Sequence, residues 1–144
     1  MFSKACEYAI RATIYIVQQS QQNRKVSLKD VAKAIESPEA YTSKILQQLC
    51  QQNVIKSDKG PTGGFSMDSH QQECVKLSTV VSSIDGDSIY SGCGLGLKNC
   101  NERRPCPLHN QFKSIRNGLR DMLESTTVKS LSSDLESGLT FLRR

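Results

Sequence analysis

The chain has no C-x-x-C pair, no G-K-S/T tripeptide and only two histidines, and its longest apolar runs are short. None approaches the roughly 18 residues needed to cross a bilayer, so no membrane-spanning helix is expected. The missing G-K-S/T means that its one glycine-rich turn, GPTGGF, is no phosphate-binding P-loop. A thiol oxidoreductase is disfavoured by the missing C-x-x-C, and His70 is assigned to a polar loop, apart from the thiols. The chain does not read as an enzyme. The N-terminal stretch MFSKACEYAIRATIYIVQQ lacks a small-residue cleavage site, and Lys4, Glu7 and Arg11 interrupt its apolar positions. A cytoplasmic protein is expected.

What is present is a globular composition. Of 144 residues, 37% are apolar and 23% charged, enough for one modest core with a helical appendage. The net charge of +5 hints at an anionic partner, but it is spread evenly. Residues 1–68 hold nine Lys/Arg against six Asp/Glu, and residues 69–144 hold ten against eight. Charge alone does not make this a nucleic-acid binder.

The order of elements says more. Ala5, Cys6, Ala9, Ile10, Thr13, Ile14 and Val17 recur at helical spacing and predict an amphipathic helix over 2–19. Ser27 is an N-cap signal before LKDVAKAI, with Leu28, Val31, Ala32 and Ile35 inward. Ser37 followed by Pro38 signals a second start, a cap and then proline at the first helical position. In that helix Ile45, Leu46 and Leu49 point inward, while Ser43, Lys44, Gln47 and Gln51 face the other way. VIKSDKGPTGGFSM then reads as strand, turn, strand, with Val54 and Ile55 opening the first strand and Phe65 to Met67 forming the second.

Two short helices and a hairpin after a longer helix form a winged helix-turn-helix. The second helix can enter a major groove, and Lys56 and Lys59 place charge on the wing. Leu77 to Ile84 predicts a short helix, capped by Ser78 and stopped at Asp85-Gly86. The fold class is mainly α with a small β-hairpin wing, followed by a long C-terminal helix. Its expected divisions are a DNA-binding domain over 1–86, a cysteine-rich loop over 87–106, and a dimerisation helix with a C-terminal segment over 107–144.

That helix is expected to start at Cys106. Leu108, Phe112, Ile115, Leu119 and Met122 are spaced 4, 3, 4 and 3, a two-heptad seam that one helix cannot bury alone. A homodimer reading a palindromic double-stranded DNA site is the natural partner.

Three of the six cysteines and one of the two histidines fall within CGLGLKNCNERRPCPLH, residues 93–109. With no export signal, the six cysteines do not read as a disulfide scaffold. Cys6 and Cys50 lie on apolar helix faces, where free cysteine acts as a small hydrophobe, and Cys74 falls in a polar loop. Cys93, Cys100 and Cys106 suggest a metal or redox site. Cys106 is expected at a helix N-cap, where unpaired N–H groups lower a thiol pKa, with Arg103 and Arg104 adding positive charge. Gly94 and Gly96 let the backbone come close to sulfur. His109, one turn in, can project toward the same point as Cys106. Structural zinc would suit three cysteines and a histidine, although its ligands usually pair at shorter gaps. A metal-free thiol switch is the other alternative.

EYAIRATIYI, VSLKDVAKAI, SPEAYTSKILQQL, the wing GPTGGF, and IDGD before a three-cysteine loop together resemble the Rrf2 family of transcription regulators, in its IscR-like and NsrR-like branches. The resemblance covers nearly the whole chain in order. It implies a homodimer of winged helices held by crossed long helices, acting as a regulator or repressor. It also implies a [2Fe–2S] cluster on Cys93, Cys100 and Cys106, sensing redox state, nitric oxide or iron–sulfur status. Cys106-Pro107-Leu108-His109 resembles the IscR-like third cysteine followed by a histidine ligand, which makes His109 the fourth ligand. Glu7 of the partner subunit is the alternative, since it occupies the acidic position from which NsrR-like members donate a carboxylate. The first gap, six residues from Cys93 to Cys100, is one longer than in IscR-like members. Lys59 stands where family members commonly place a minor-groove arginine. It keeps the charge and loses the planar fork.

Overall fold

A computed structural model describes residues 1–142 of the chain. Helix α1 (Lys4–Gln21) runs through the middle of the molecule. The Ser3 hydroxyl caps it, accepting the Cys6 N–H at 3.1 Å. Cys6, Ala9, Ala12, Thr13, Ile14, Ile16 and Val17 are all buried, a wider face than a surface helix needs. Neighbours explain this: α2 (Leu28–Ile35), α3 (Glu39–Gln51), α5 (Leu77–Asp85) and α7 (Val128–Glu136) all pack against α1.

Helix α2 begins where Ser27 predicted. The Ser27 hydroxyl takes the Asp30 N–H and the Asp30 carboxylate takes the Ser27 N–H, a reciprocal capping box. These bonds hold the Asp30 carboxyl below the usual carboxylate range. Helix α3 begins one residue later than expected. Pro38 is the cap and Glu39 the first helical residue, because the extended backbone of Pro38 is not yet helical. Its carbonyl accepts the Thr42 hydroxyl at 2.9 Å. Ser37 makes no cap bond, and its buried hydroxyl has no partner among the described residues.

The wing pairs β1 (Lys56–Asp58) with β2 (Gly64–Ser66) antiparallel, Ser57 opposite Phe65. Val54 and Ile55 are not its first strand residues. They lie just before it, buried in the core, and anchor the hairpin. Val26 bridges to the other edge of β2, exchanging both backbone bonds with Phe65 at 3.0 and 2.7 Å. The double glycine is required here. A Cβ at Gly63 would lie 2.2 Å from the Asp58 carbonyl oxygen, and Gly64 has φ +139° with a Cβ position 2.8 Å from the Val26 carbonyl oxygen.

After the wing the sequence expectation missed an element. Helix α4 (Ser69–Cys74) covers His70 and Cys74, which are therefore not in a loop. Asp68 and Gln71 form its capping box. Helix α5 starts after Lys76 with no side-chain cap, so Ser78 lies inside it and does not cap it. A single 3₁₀ turn, Ser88–Tyr90, opens the cysteine loop. Helix α6 runs His109–Ser125 and α7 follows, capped by Thr127 and folded back onto α1 and α4.

The main core gathers α1, α2, α3, the wing base and α5. A smaller cluster of Cys6, Leu77, Val81 and Leu123 joins the start of α1 to α5 and α6. Asp85, at the end of α5, bonds the Ser3 N–H at 2.9 Å and the Ser3 hydroxyl, closing that junction. Among the described residues no helix is long and apolar enough to cross a membrane.

Candidate functional site

The surface expected to face DNA is formed by α3 and the wing. Ile45, Leu46 and Leu49 are buried, which turns Lys44 and Gln47 to solvent and leaves Ser43 half-buried. Tyr41, on the first turn of α3, is also exposed and was not singled out from sequence. It meets Tyr8 edge-to-face at 5.7 Å, and Tyr8 lies under Lys4 and Arg11 at 5.1 and 4.8 Å. Two α1 cations thus stand beside the start of α3. The signal was available: Tyr41, Lys44 and Gln47 recur every three residues on one face.

The wing charges differ in kind. Lys25 pairs with Asp58 at 2.9 Å and Lys56 with Asp68 at 3.5 Å. Lys25 holds the Asp58 carboxyl below its ordinary range, while Asp68 is lowered first by the Gln71 N–H and then by Lys56. Lys59, at the turn, has no ion pair among the described residues. Its ammonium group is the wing cation not engaged by a carboxylate among the described residues.

The cysteine loop returns to α6. Backbone N–H groups of Leu95, Leu97 and Gly96, with the Arg116 charge, pull the Cys93 thiol below its ordinary pKa. Gly96 makes this possible with φ +72°, its N–H bonding the Cys93 carbonyl at 3.0 Å. Gly94 presses against Phe112, and a Cβ there would fall 2.4 Å from the ring. The glycines therefore serve Cys93 and the packing of α6.

Cys100 Sγ lies 3.4 Å from His109 Nδ1. Arg116 donates from Nη1 to the Gly92 carbonyl at 2.8 Å and from Nη2 to Cys100 Sγ at 3.4 Å. Arg116, and not Arg103 or Arg104, is the cation at the thiols. Its distance in sequence hid it, since only folding brings α6 back across the loop.

Cys106 departs from expectation. It is not the N-cap of α6: Leu108 holds that position without a side-chain bond, and the Cys106 carbonyl accepts the His109 N–H at 3.0 Å. Pro107 sits in the intervening turn, so His109 is the first helical residue and not one turn in. His109 is buried. Glu7, on the first turn of α1, pairs with Lys4 at 3.1 Å. The loop brings Cys100 and His109 together and ties Cys93 in through Arg116. Among the described residues no three His, Cys, Asp or Glu side chains converge closely enough to hold a metal ion. The donor chemistry still suits an iron–sulfur group, with three half-buried thiols and an imidazole in contact with one of them.

The expected seam on α6 divides into two edges. Phe112 and Leu119 are half-buried, Phe112 against Gly94 and Leu119 in the Leu123 cluster. Leu108, Ile115 and Met122, each seven residues apart, stay 41%, 62% and 48% exposed. One edge of the stripe is covered by the chain itself. The other is open.

A winged helix with an exposed polar recognition face, followed by an apolar-edged helix and a thiol loop, defines a DNA-binding transcriptional regulator. The family model described as "Iron-dependent Transcriptional regulator" matches residues 2–134, and the chain belongs to the Rrf2 family. A protein of Aquifex aeolicus named as an HTH-type transcriptional regulator is 26% identical over 133 residues, covering 91% of this chain and 90% of its own. The structure of CymR, the global cysteine regulator of B. subtilis, superposes with TM-score 0.76 at 20% identity, covering 92% of this chain and 96% of that one. T. potens IscR superposes with TM-score 0.75 at 18% identity, covering 99% and 93%. At these identities the two structures show the shared fold. The family is one of regulators and not of enzymes.

Proposed function

We propose that the protein is a homodimeric cytoplasmic regulator that reads a palindromic DNA operator and responds to a [2Fe–2S] cluster held by its cysteine loop. The divisions suited to this are a DNA-reading part over 1–86, a loop over 87–106 and a dimerising arm over 107–144. The observation that carries the reading is the contact of Cys100 with His109 at the first residue of α6, under the Arg116 guanidinium. It puts the loop's donors at the root of the helix whose open edge a second copy would cover. Cys93, Cys100, Cys106 and His109 would hold the cluster, with Glu7 of the partner subunit as the alternative fourth ligand. When bound, the cluster supplies a group sensitive to oxidants, nitric oxide and iron supply.

The chain's own residues carry the response. Arg116 and His109 fix the loop to α6. Leu123 fixes α6 to Cys6 and Val81, and Asp85 fixes that junction to the start of α1. A change in how the loop sits on α6 therefore bears on the spacing of two winged helices, a population shift between DNA-competent and incompetent arrangements. Ser43, Lys44 and Gln47 face the major groove, while Lys59 and the more weakly available Lys56 meet phosphate or the minor groove.

The test compares operator affinity of anaerobically loaded protein with that of a chain carrying serine at Cys93, Cys100 and Cys106. A difference supports loop control, and equal affinities contradict it. Loaded His109→Ala and Glu7→Ala chains then separate the fourth ligands, since only the true ligand's loss changes the spectrum. A second reading has its own support. Arg116 Nη2 reaches Cys100 Sγ directly at 3.4 Å, a contact that suits a cluster-free thiol switch. Zinc, the remaining alternative, would be found by metal analysis.

A further inference from the structure

Outside the loop, one more thiol meets an imidazole. His70 and Cys74 lie one turn apart on α4, with Cys74 Sγ 3.8 Å from His70 Nδ1. Both are exposed, and both line a cavity of about 390 Å³ together with Asn53, Lys56, Asp68 and Gln71. We propose that this pair is a second metal site, chelating a borderline-soft divalent cation of the zinc type. It does not depend on what the loop holds.

The spacing is the first argument. Zinc–nitrogen and zinc–sulfur bonds of about 2.0 and 2.3 Å at a tetrahedral angle put the two donors about 3.5 Å apart. The observed 3.8 Å requires only a modest opening of that angle, with no change of backbone. Preorganisation is the second. Helix α4 has six residues, too few to persist alone, yet it is fixed at several points. Asp68 and Gln71 cap it reciprocally, Gln71 Nε2 donates to the Asn53 carbonyl at 3.0 Å, and Gln72 Nε2 donates to the Met67 carbonyl at 2.9 Å. The backbone that carries the two donors is therefore held in place before any metal arrives.

Charge is the third. Asp68 faces the same cavity and offsets Lys56, its partner at 3.5 Å, so a cation does not enter against an unbalanced positive charge. With two protein donors the remaining positions fall to water or a small ligand, and the site is open and weaker than a closed structural zinc site. Its place is at the foot of the wing, since Asp68 also holds Lys56 of β1.

The probe is cobalt, then zinc. Under anaerobic conditions, the full-length chain with serine at Cys93, Cys100 and Cys106 is titrated with Co²⁺. A thiolate-to-cobalt charge-transfer band should appear, be displaced by Zn²⁺, vanish in a further Cys74→Ser change and weaken in His70→Ala. Circular dichroism checks that these surface variants keep the fold. No band, or a band that survives Cys74→Ser, overturns the site. A second readout needs no substitution: Zn²⁺ should slow alkylation of Cys74 in the unmodified chain by about tenfold, because a metal-bound thiolate is a poor free nucleophile. An unchanged rate also overturns it.

Discussion

From Ser3 to Val81 the chain surrounds α1 with buried apolar residues, and α1, α2 and α4 each begin on a capping side chain. From Asp87 to Leu108 no side chain is fully buried. That segment is held by N–H groups around Cys93, by Cys100 against His109, and by the fork of Arg116. Burial fixes the winged-helix part, while a few polar contacts position the loop. Local opening costs least where apolar contacts are fewest, so the loop can rearrange at little expense to the fold.

The sharpest way to break this comparison is to remove packing on each side. Leu49→Ala opens a cavity in the main core and should cost about 2–5 kcal/mol by urea denaturation. Leu97→Ala in the exposed loop should stay within about 0.5 kcal/mol. Similar losses would mean that the loop is part of the folding core.

Next in size is the open edge of α6. Ile115→Glu should weaken self-association by at least about 2 kcal/mol while leaving the monomer's melting little changed, read by sedimentation and calorimetry. Leu123→Ala, on the covered edge, should instead lower the melting temperature.

Smaller effects are expected on the wing. Lys59→Ala should weaken binding to all sequences and reduce the salt slope by about one. Lys56→Ala should change the slope less, because Asp68 already neutralises Lys56. Equal slopes would contradict the distinction drawn between the two lysines.

The smallest effects separate two thiols. Burial, followed by the charge and hydrogen bond of Asp85, pushes the Cys6 thiol up to about 12 from 9.0. A raised folded pKa contributes stability that is complete below the unfolded value and is lost as pH rises toward the folded one. Between about pH 9 and 12 the unmodified chain should therefore lose more stability than Cys6→Ala. Cys93 shifts the opposite way, so alkylation of the metal-free protein near neutral pH should mark Cys93 well before Cys6.

The elements legible in sequence were those with an apolar period and a cap. Ser27 fixed the start of α2, and Ile45, Leu46 and Leu49 fixed the inward face of α3. Helix α4 escaped because SHQQEC has no apolar period, although Asp68 and Gln71 carry a capping-box spacing. That omission hid the contact of His70 with Cys74. The start of α6 was misjudged because Pro107 resembles a first helical residue but occupies the turn before it. The loop's thiols and His109 were legible as residues, while Arg116 and the pairing of Cys100 with His109 arise only from tertiary return of α6.

The measurement that bears most directly on the account is iron and acid-labile sulfide analysis of anaerobically purified protein, with absorption and EPR spectra of the same sample. The account predicts iron and sulfide in equal amounts and [2Fe–2S]-type spectra, lost when Cys93, Cys100 and Cys106 are replaced by serine. Anaerobic protein that contains zinc or no metal, and that takes up no cluster on reconstitution, would contradict it.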